Sequence, residues 1–231
     1  MSKRFVKAAG LVDRKAFYPL ERAVALLQEL PPAKFNETVG LSVSLTIDPK
    51  KTEQMVRGTV MLPHGTGKPR RVVVFCKGEK ESQAREAGAD FVGAADLIAK
   101  VEGGWLEFDV AVATPDMMRD VSKLGKLLGP RGLMPSPKAG TVSEDVVKAV
   151  TEVKRGKIEF KMDKQANLHV VVGKRSFSPP QLLENARAAL DAVVRAKPAT
   201  VKGKMVKRVT LSSTMSPGIA INTDALEVSV G

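Results

Sequence analysis

One cysteine, one tryptophan, one tyrosine and two histidines are all that this 231-residue chain offers of those four types, and aromatic residues make up only 4% of it. A single thiol, Cys76, cannot close an internal disulfide, and with only His64 and His169 beside it a conventional zinc site has too few ligands. Dyad and triad chemistry needs a positioned base. His64 stands in a glycine-rich junction and His169 inside an apolar alternation, so each reads as structural and the sequence assembles no catalytic centre. No apolar run approaches the roughly 20 residues of a spanning helix. The opening MSKRFVKAAGLVDRK lacks the apolar core of a secretory signal, so the expected location is the cytoplasm. Two nucleotide-binding fingerprints are also missing. Around Gly65-Thr66-Gly67-Lys68 the phosphate-loop spacing fails, because Leu62 and Pro69 occupy positions that need glycine and Ser/Thr; no GxGxxG follows a strand. No cofactor is expected.

Positive charge is what the chain has in excess. Its net charge is +12, which favours a polyanionic partner. Residues 1–66 hold 10 Lys/Arg against 6 Asp/Glu and residues 160–231 hold 11 against 5, whereas 67–159 hold 16 against 14. The excess therefore sits at the two ends of the chain.

Apolar periodicity divides the chain the same way. After an irregular basic start, Leu20, Ala23, Val24, Leu27 and Leu30 recur at helical spacing up to Pro31-Pro32. Thr38 to Ile47 alternates without error, which predicts a strand with one apolar face and one face of small hydroxyls. Asp48-Pro49-Lys50-Lys51 is a turn, and Gln54 to Leu62 a second strand in which Gly58 marks a bulge or a close approach. Beyond the junction at 63–69 short strands (72–75, 91–92, 109–113) alternate with helices (79–87, 94–101, 115–124), the pattern of a small parallel α/β layer. A helix from Ser143, as N-cap, to Lys154 presents Val146, Val147, Val150 and Val153 as its apolar stripe. Strands at 158–162 and 168–172, a helix opened by Ser178-Pro179-Pro180 and a basic strand at 204–211 follow.

This pattern predicts a discontinuous α+β terminal domain, residues 1–66 with 160–231, into which an α/β three-layer Rossmann-like domain, residues 67–159, is inserted. Gly65, Gly67 and Gly156 at the two crossings are candidate hinge residues. Within the insert, KLGKLLGPRGLMPSPKAGT (123–141) has no carboxylate between Asp120 and Glu144. Its glycines and prolines from Gly129 on predict an ordered, irregular, cationic surface.

For the terminal domain, Lys34, Phe35, Lys50, Lys51, Arg57, Lys161, Lys164, Arg208 and the turn Thr214-Met215-Ser216 fall at strand ends and turns, where they can face a folded RNA. Such an RNA is read through shape, phosphates and 2′-hydroxyls. Two other readings remain open at this point: an α/β enzyme holding a phosphorylated small molecule at the glycine-rich junction or the LGPRG loop, and a DNA-compacting basic protein.

Several blocks in order, AKFNETVGLSVSL, IDPKKTEQMVRGTVMLPHGTGK, GEKESQAREAGADFVG, ATPDMM, LGPRGLMPSPKAGT and STMSPGIAIN, resemble the large-subunit ribosomal protein L-one family along nearly the whole chain. The resemblance implies a ribonucleoprotein component of the large ribosomal subunit that is monomeric outside the ribosome. It implies binding to the stalk region of 23S rRNA through Lys34, Phe35, Thr38 and a Thr-Met-Gly turn, here Thr214-Met215-Ser216 with serine in the glycine's place. It further implies contact with exit-site tRNA and its release, and translational repression through an rRNA-like site on the mRNA of the protein's own operon. Gly129, Pro130, Arg131 and Gly132 are then a tRNA-facing or interdomain loop.

Overall fold

The computed structural model describes residues 2–201 and 203–223. The expectations placed on 202 and 224–231 lie outside them. The chain is of mixed α/β type and forms two compact units, residues 1–67 with 158–231 and residues 68–157.

The first unit is built on β1 (Thr38–Leu45), whose perfect alternation buries Val39, Leu41, Val43 and Leu45 and leaves the hydroxyl face half-exposed. Before it come α1 (Lys3–Gly10) and α2 (Leu20–Glu29). The basic start is therefore helical rather than irregular. Ser2 caps α1 by accepting a hydrogen bond from Phe5 N, a local signal for eight residues of which only Ala8 is buried. After β1 comes β2 (Arg57–Met61). The chain returns to this unit with β6 (Lys157–Lys161), β7 (Asn167–Lys174), α8 (Pro179–Arg195), β8 (Val206–Ser213) and β9 (Ile219–Ile221), the last of which the sequence reading missed. The four-stranded sheet has the order β7-β1-β8-β9 with every pairing antiparallel; β2 and β6 form a separate two-stranded sheet. Gly58 on β2 is a close-approach position, since a Cβ there would meet the Phe160 ring at 2.7 Å. Helices α2 and α8 and both sheets close on one core that includes Leu27, Leu41, Phe160, Leu168, Leu182 and Leu211.

Pro179 at the first turn and Gln181, whose Oε1 accepts Ser178 N at 3.0 Å, start α8 where the sequence places it. From this helix the fully buried Asn185 reaches the glycine-rich turn. Its Oδ1 accepts His64 N (3.0 Å), and its Nδ2 donates to Gly65 O (3.0 Å) and Val172 O (2.8 Å). His64 itself pairs with Glu184 at 2.6 Å.

The second unit centres on β3 (Val72–Phe75), buried on both faces, which is why it reads as an unbroken apolar run. It pairs in parallel with β4 (Phe91–Gly93) and β5 (Val110–Ala113) in the order β4-β3-β5. One face packs against α4 (Ala95–Glu102), α5 (Met118–Val121) and α6 (Gly125–Leu128), the other against α3 (Glu79–Glu86) and α7 (Val146–Arg155). Residues 115–124, expected as one helix, are instead 3-10 turns on either side of α5. The N-cap of α7 is Asp145, accepting Lys148 N at 3.0 Å, rather than Ser143, whose Oγ accepts Asp145 N two residues earlier. The buried stripe is Val146, Ala149, Val150 and Val153, and Val147 stands outside it at 42% exposure.

Candidate nucleic-acid interface

Register along β1 sorts the sequence-predicted residues into groups. Thr38 lies opposite Lys174 of β7, and Thr214 follows the β8 terminus, where Ser213 faces Val39. At the other end Ser44 lies opposite Asn167 and Arg208. These ends are roughly 20 Å apart for six residues of strand. Lys34, Phe35, Thr38, Thr214, Met215 and Ser216 share the first end. Arg208 lies at the second, with Lys164 in the turn that leads into β7 and Lys50 and Lys51 in the turn after β1; all four are exposed. Arg57 and Lys161 belong to the two-stranded sheet, and Arg57 is ion-paired with Glu159.

At the first end the Thr214 and Thr38 backbones are locked together. Thr214 N donates to Thr38 O (3.0 Å), Thr38 N donates to Thr214 Oγ1 (3.1 Å), and Lys174 Nζ donates to Thr38 Oγ1 (2.7 Å). Glu37, 0% exposed, lies beneath. One carboxylate oxygen accepts Met215 N (3.0 Å) and the other Arg175 Nη1 (2.9 Å), and Arg175 Nη2 caps α2 by donating to Gln28 O and Leu30 O. From α1, Arg4 donates to Met215 O (2.8 Å) and Pro31 O (3.1 Å). A turn with both its backbone amide and its carbonyl fixed by charged side chains is pre-organised. On this base Phe35 and Met215 stand out at 54% and 48% exposure, so neither is a core residue. Asn36, between Phe35 and Glu37, is held by Ser176 through bonds of 2.9 and 3.2 Å.

Serine at 216 fits this turn without strain. Its φ is not positive, and its Oγ accepts Ser213 N (2.8 Å) while donating to Pro217 O (3.0 Å). The hydroxyl closes the turn from inside, so a bare glycine is not required here.

Sequence reasoning found the exposed members of this constellation but missed Arg4, Glu37, Lys174 and Arg175. Glu37 directly precedes the unbroken alternation of β1, but its burial depends on Arg175, 138 residues away, so its role is not local to the strand.

In the second unit the 129–141 segment is irregular but stitched down. Leu133 N bonds Leu128 O (3.0 Å), Thr141 Oγ1 accepts Ser136 N (2.8 Å), and Ala113 N bonds Thr141 O (2.9 Å). Gly132 and Gly140 take left-handed backbone conformations, with φ of 68° and 65°. Gly129, Pro130, Arg131 and Gly132, with Lys126 and Lys138, are exposed on it.

Among the described residues no group of three or more His, Cys, Asp or Glu side chains is placed to hold a metal ion, and no helix is long and apolar enough to cross a membrane. The match to a protein family covers residues 27–217, from within α2 through β8 to the turn bearing Thr214, Met215 and Ser216. Its members are RNA-binding structural proteins of the cytoplasmic large ribosomal subunit and not enzymes, which sets aside the reading as an enzyme for a phosphorylated small molecule. With that match spanning both units and the whole Glu37-anchored turn, the chain belongs to the Ribosomal protein L1p/L10e family.

Proposed function

We propose that the first unit grips the stalk region of 23S rRNA through the end of the sheet that carries Lys34, Phe35, Thr38, Thr214, Met215 and Ser216. The observation that carries this reading is the pairing of two exposed apolar side chains, Phe35 and Met215, with a backbone turn immobilised by a buried ion pair. A flexible RNA partner has to be ordered on binding, so a rigid protein surface lowers the free-energy cost. Phe35 supplies a stacking or sugar-packing face, and the threonine hydroxyls and Lys34 and Lys174 ammonium groups supply contacts to 2′-hydroxyls and phosphates. Lys50, Lys51, Lys164 and Arg208, some 20 Å away along β1, serve a second stretch of backbone.

The same surface, on this reading, accepts an rRNA-like site on the protein's own operon mRNA and represses its translation. The exposed Gly129–Gly132 segment of the second unit faces exit-site tRNA during its release, with the two crossings between the units, beside Gly67 and after Gly156, as hinges. Of the three candidate hinge glycines, Gly65 has its carbonyl held by Asn185.

Phe35→Ala and Thr214→Ala in the full chain test the rRNA reading. Each is expected to weaken binding to a stalk rRNA fragment by at least about tenfold, equivalent to about 1.4 kcal/mol, with circular dichroism unchanged. Affinity of the unaltered protein should also fall by several decades between about 50 and 200 mM salt if roughly 6 to 10 phosphates are neutralised. Unaltered affinity in both variants removes the assignment, and equal affinity for duplex DNA and folded rRNA returns the DNA-compacting reading.

A further inference from the structure

At the amino-terminal edge of the parallel sheet in the second unit, a cleft of about 530 Å³ is lined by Lys68, Pro69, Arg70, Arg71, Asp90, Asp109 and Lys154. Substrates of open α/β sheets bind at the opposite, carboxyl edge, so this cleft is no remnant of a nucleotide pocket. Four cations face two carboxylates, and the hydrogen bonds show which cations are satisfied. Asp109 accepts Lys68 Nζ (2.8 Å), Arg71 N (3.1 Å) and Arg71 Nε (3.5 Å). Asp90 accepts Val72 N (2.8 Å) and pairs with Lys154 Nζ at 3.1 Å.

Arg70 is different. It is half-buried, and its guanidinium donates to the carbonyl of Lys157 at 3.3 Å; among the described residues no carboxylate stands within ion-pair distance of it. Burial lowers its pKa, and the Asp109 carboxylate, beyond ion-pair distance, acts in the opposite direction without offsetting it. A partly desolvated guanidinium with most of its five donors unspent is matched in shape and charge by a tetrahedral oxyanion. Lys68 and Arg71, at 63% and 52% side-chain exposure, can turn from Asp109 toward such an anion at a modest cost, since exposed ion pairs are weak and Asp109 keeps the backbone amide of Arg71.

We propose that this cleft is a binding site for a phosphoryl anion, held by Arg70 at its floor and by Lys68, Arg71 and Lys154 at its rim. The shared chemistry is that of a free phosphate or of one phosphodiester of an RNA backbone. The site is independent of the rRNA surface on the first unit and stands whether or not that reading holds.

The test uses the full chain with Phe35→Ala as background, so that the first-unit surface is weakened, and follows the Arg70 side-chain Nε–H resonance by NMR. Two probes are titrated separately: inorganic phosphate and a single-stranded tetrauridylate. Saturable movement of that resonance and of the rim amides by phosphate at millimolar concentration, with the rim-amide movement lost in Arg70→Met and largely retained in Arg70→Lys, supports the site with free phosphate as ligand. Movement by tetrauridylate at tenfold or more lower concentration supports it with RNA backbone as ligand. If Arg70→Met fails to fold, Arg70→Lys and the titration of the Phe35→Ala chain with Arg70 intact decide alone. No movement of the resonance by either probe up to 50-fold above the concentration at which phosphate screens ordinary surface amides overturns the proposal, as does an unchanged titration of the rim amides in Arg70→Met.

Discussion

Replacing Glu37 by alanine strikes the fixed base of the Met215 turn. The carboxylate is fully buried, accepts Met215 N and Arg175 Nη1, and belongs to an ion pair whose arginine is itself only 11% exposed. Removing one partner of such a pair leaves the other charge buried and costs about 3–5 kcal/mol. Against a total stability of about 5–15 kcal/mol, the variant stays folded at 25 °C but with a much lower urea midpoint. Glu37→Gln keeps an oxygen for Met215 N but loses the charge and sets an amide NH2 against Arg175 Nη1, so it should cost about 3 kcal/mol while holding rRNA within about threefold, because the Met215 amide keeps its acceptor. The pair also predicts non-additivity. The losses in Glu37→Leu and Arg175→Met should sum to about 1–3 kcal/mol more than the loss in the double variant, because the double variant buries no lone charge. Urea unfolding gives the stabilities and filter binding to the rRNA fragment gives the affinities. Loss of under about 1 kcal/mol in Glu37→Ala, or additivity within about 0.5 kcal/mol, refutes the claim that this pair holds the turn.

Other expectations come from the second unit and the glycine-rich turn. The ammonium of Lys68 and the backbone amide of Arg71 hold the Asp109 carboxyl down at about 2, so its contribution is complete above the unfolded pKa near 4 and is lost as pH falls through about 2. Asp109→Asn should therefore lower stability at pH 7 by about 1–2 kcal/mol, after discounting for the exposed Lys68 and Arg71, and flatten acid unfolding between about pH 4 and 2. Asn185→Leu strips partners from His64 N, Gly65 O and Val172 O, and a loss of about 2–3 kcal/mol in thermal unfolding is expected; a shift of under 1 °C would show that the turn is held by other means.

Local chemistry made much of this fold legible. The error-free alternation of Thr38–Ile47, the Ser178-Pro179-Pro180 start of α8 and the apolar run of β3 each carry their own signal within a few residues. What escaped was either short or long-range. Helix α1 buries one residue and β9 spans three, too little for a period to register. The cap of α7 lies two residues beyond the expected one because Ser143 and Asp145 are both competent N-cap residues, and Asp145 is the one that accepts an amide of the first turn. In the candidate interface, Phe35 and Thr214 could be singled out. The Glu37–Arg175 pair joins residues 138 apart, and Arg4 meets Met215 across 211, separations at which one sequence gives no pattern.

The most direct test is site-specific photocross-linking. Benzoylphenylalanine placed at position 35, at 215 or at 147, the last an exposed site on the second unit, is irradiated with the stalk rRNA fragment. The account predicts strong cross-links from 35 and 215, mapping to neighbouring nucleotides, and none above background from 147. Cross-linking from 147 with none from 35 or 215 would contradict it.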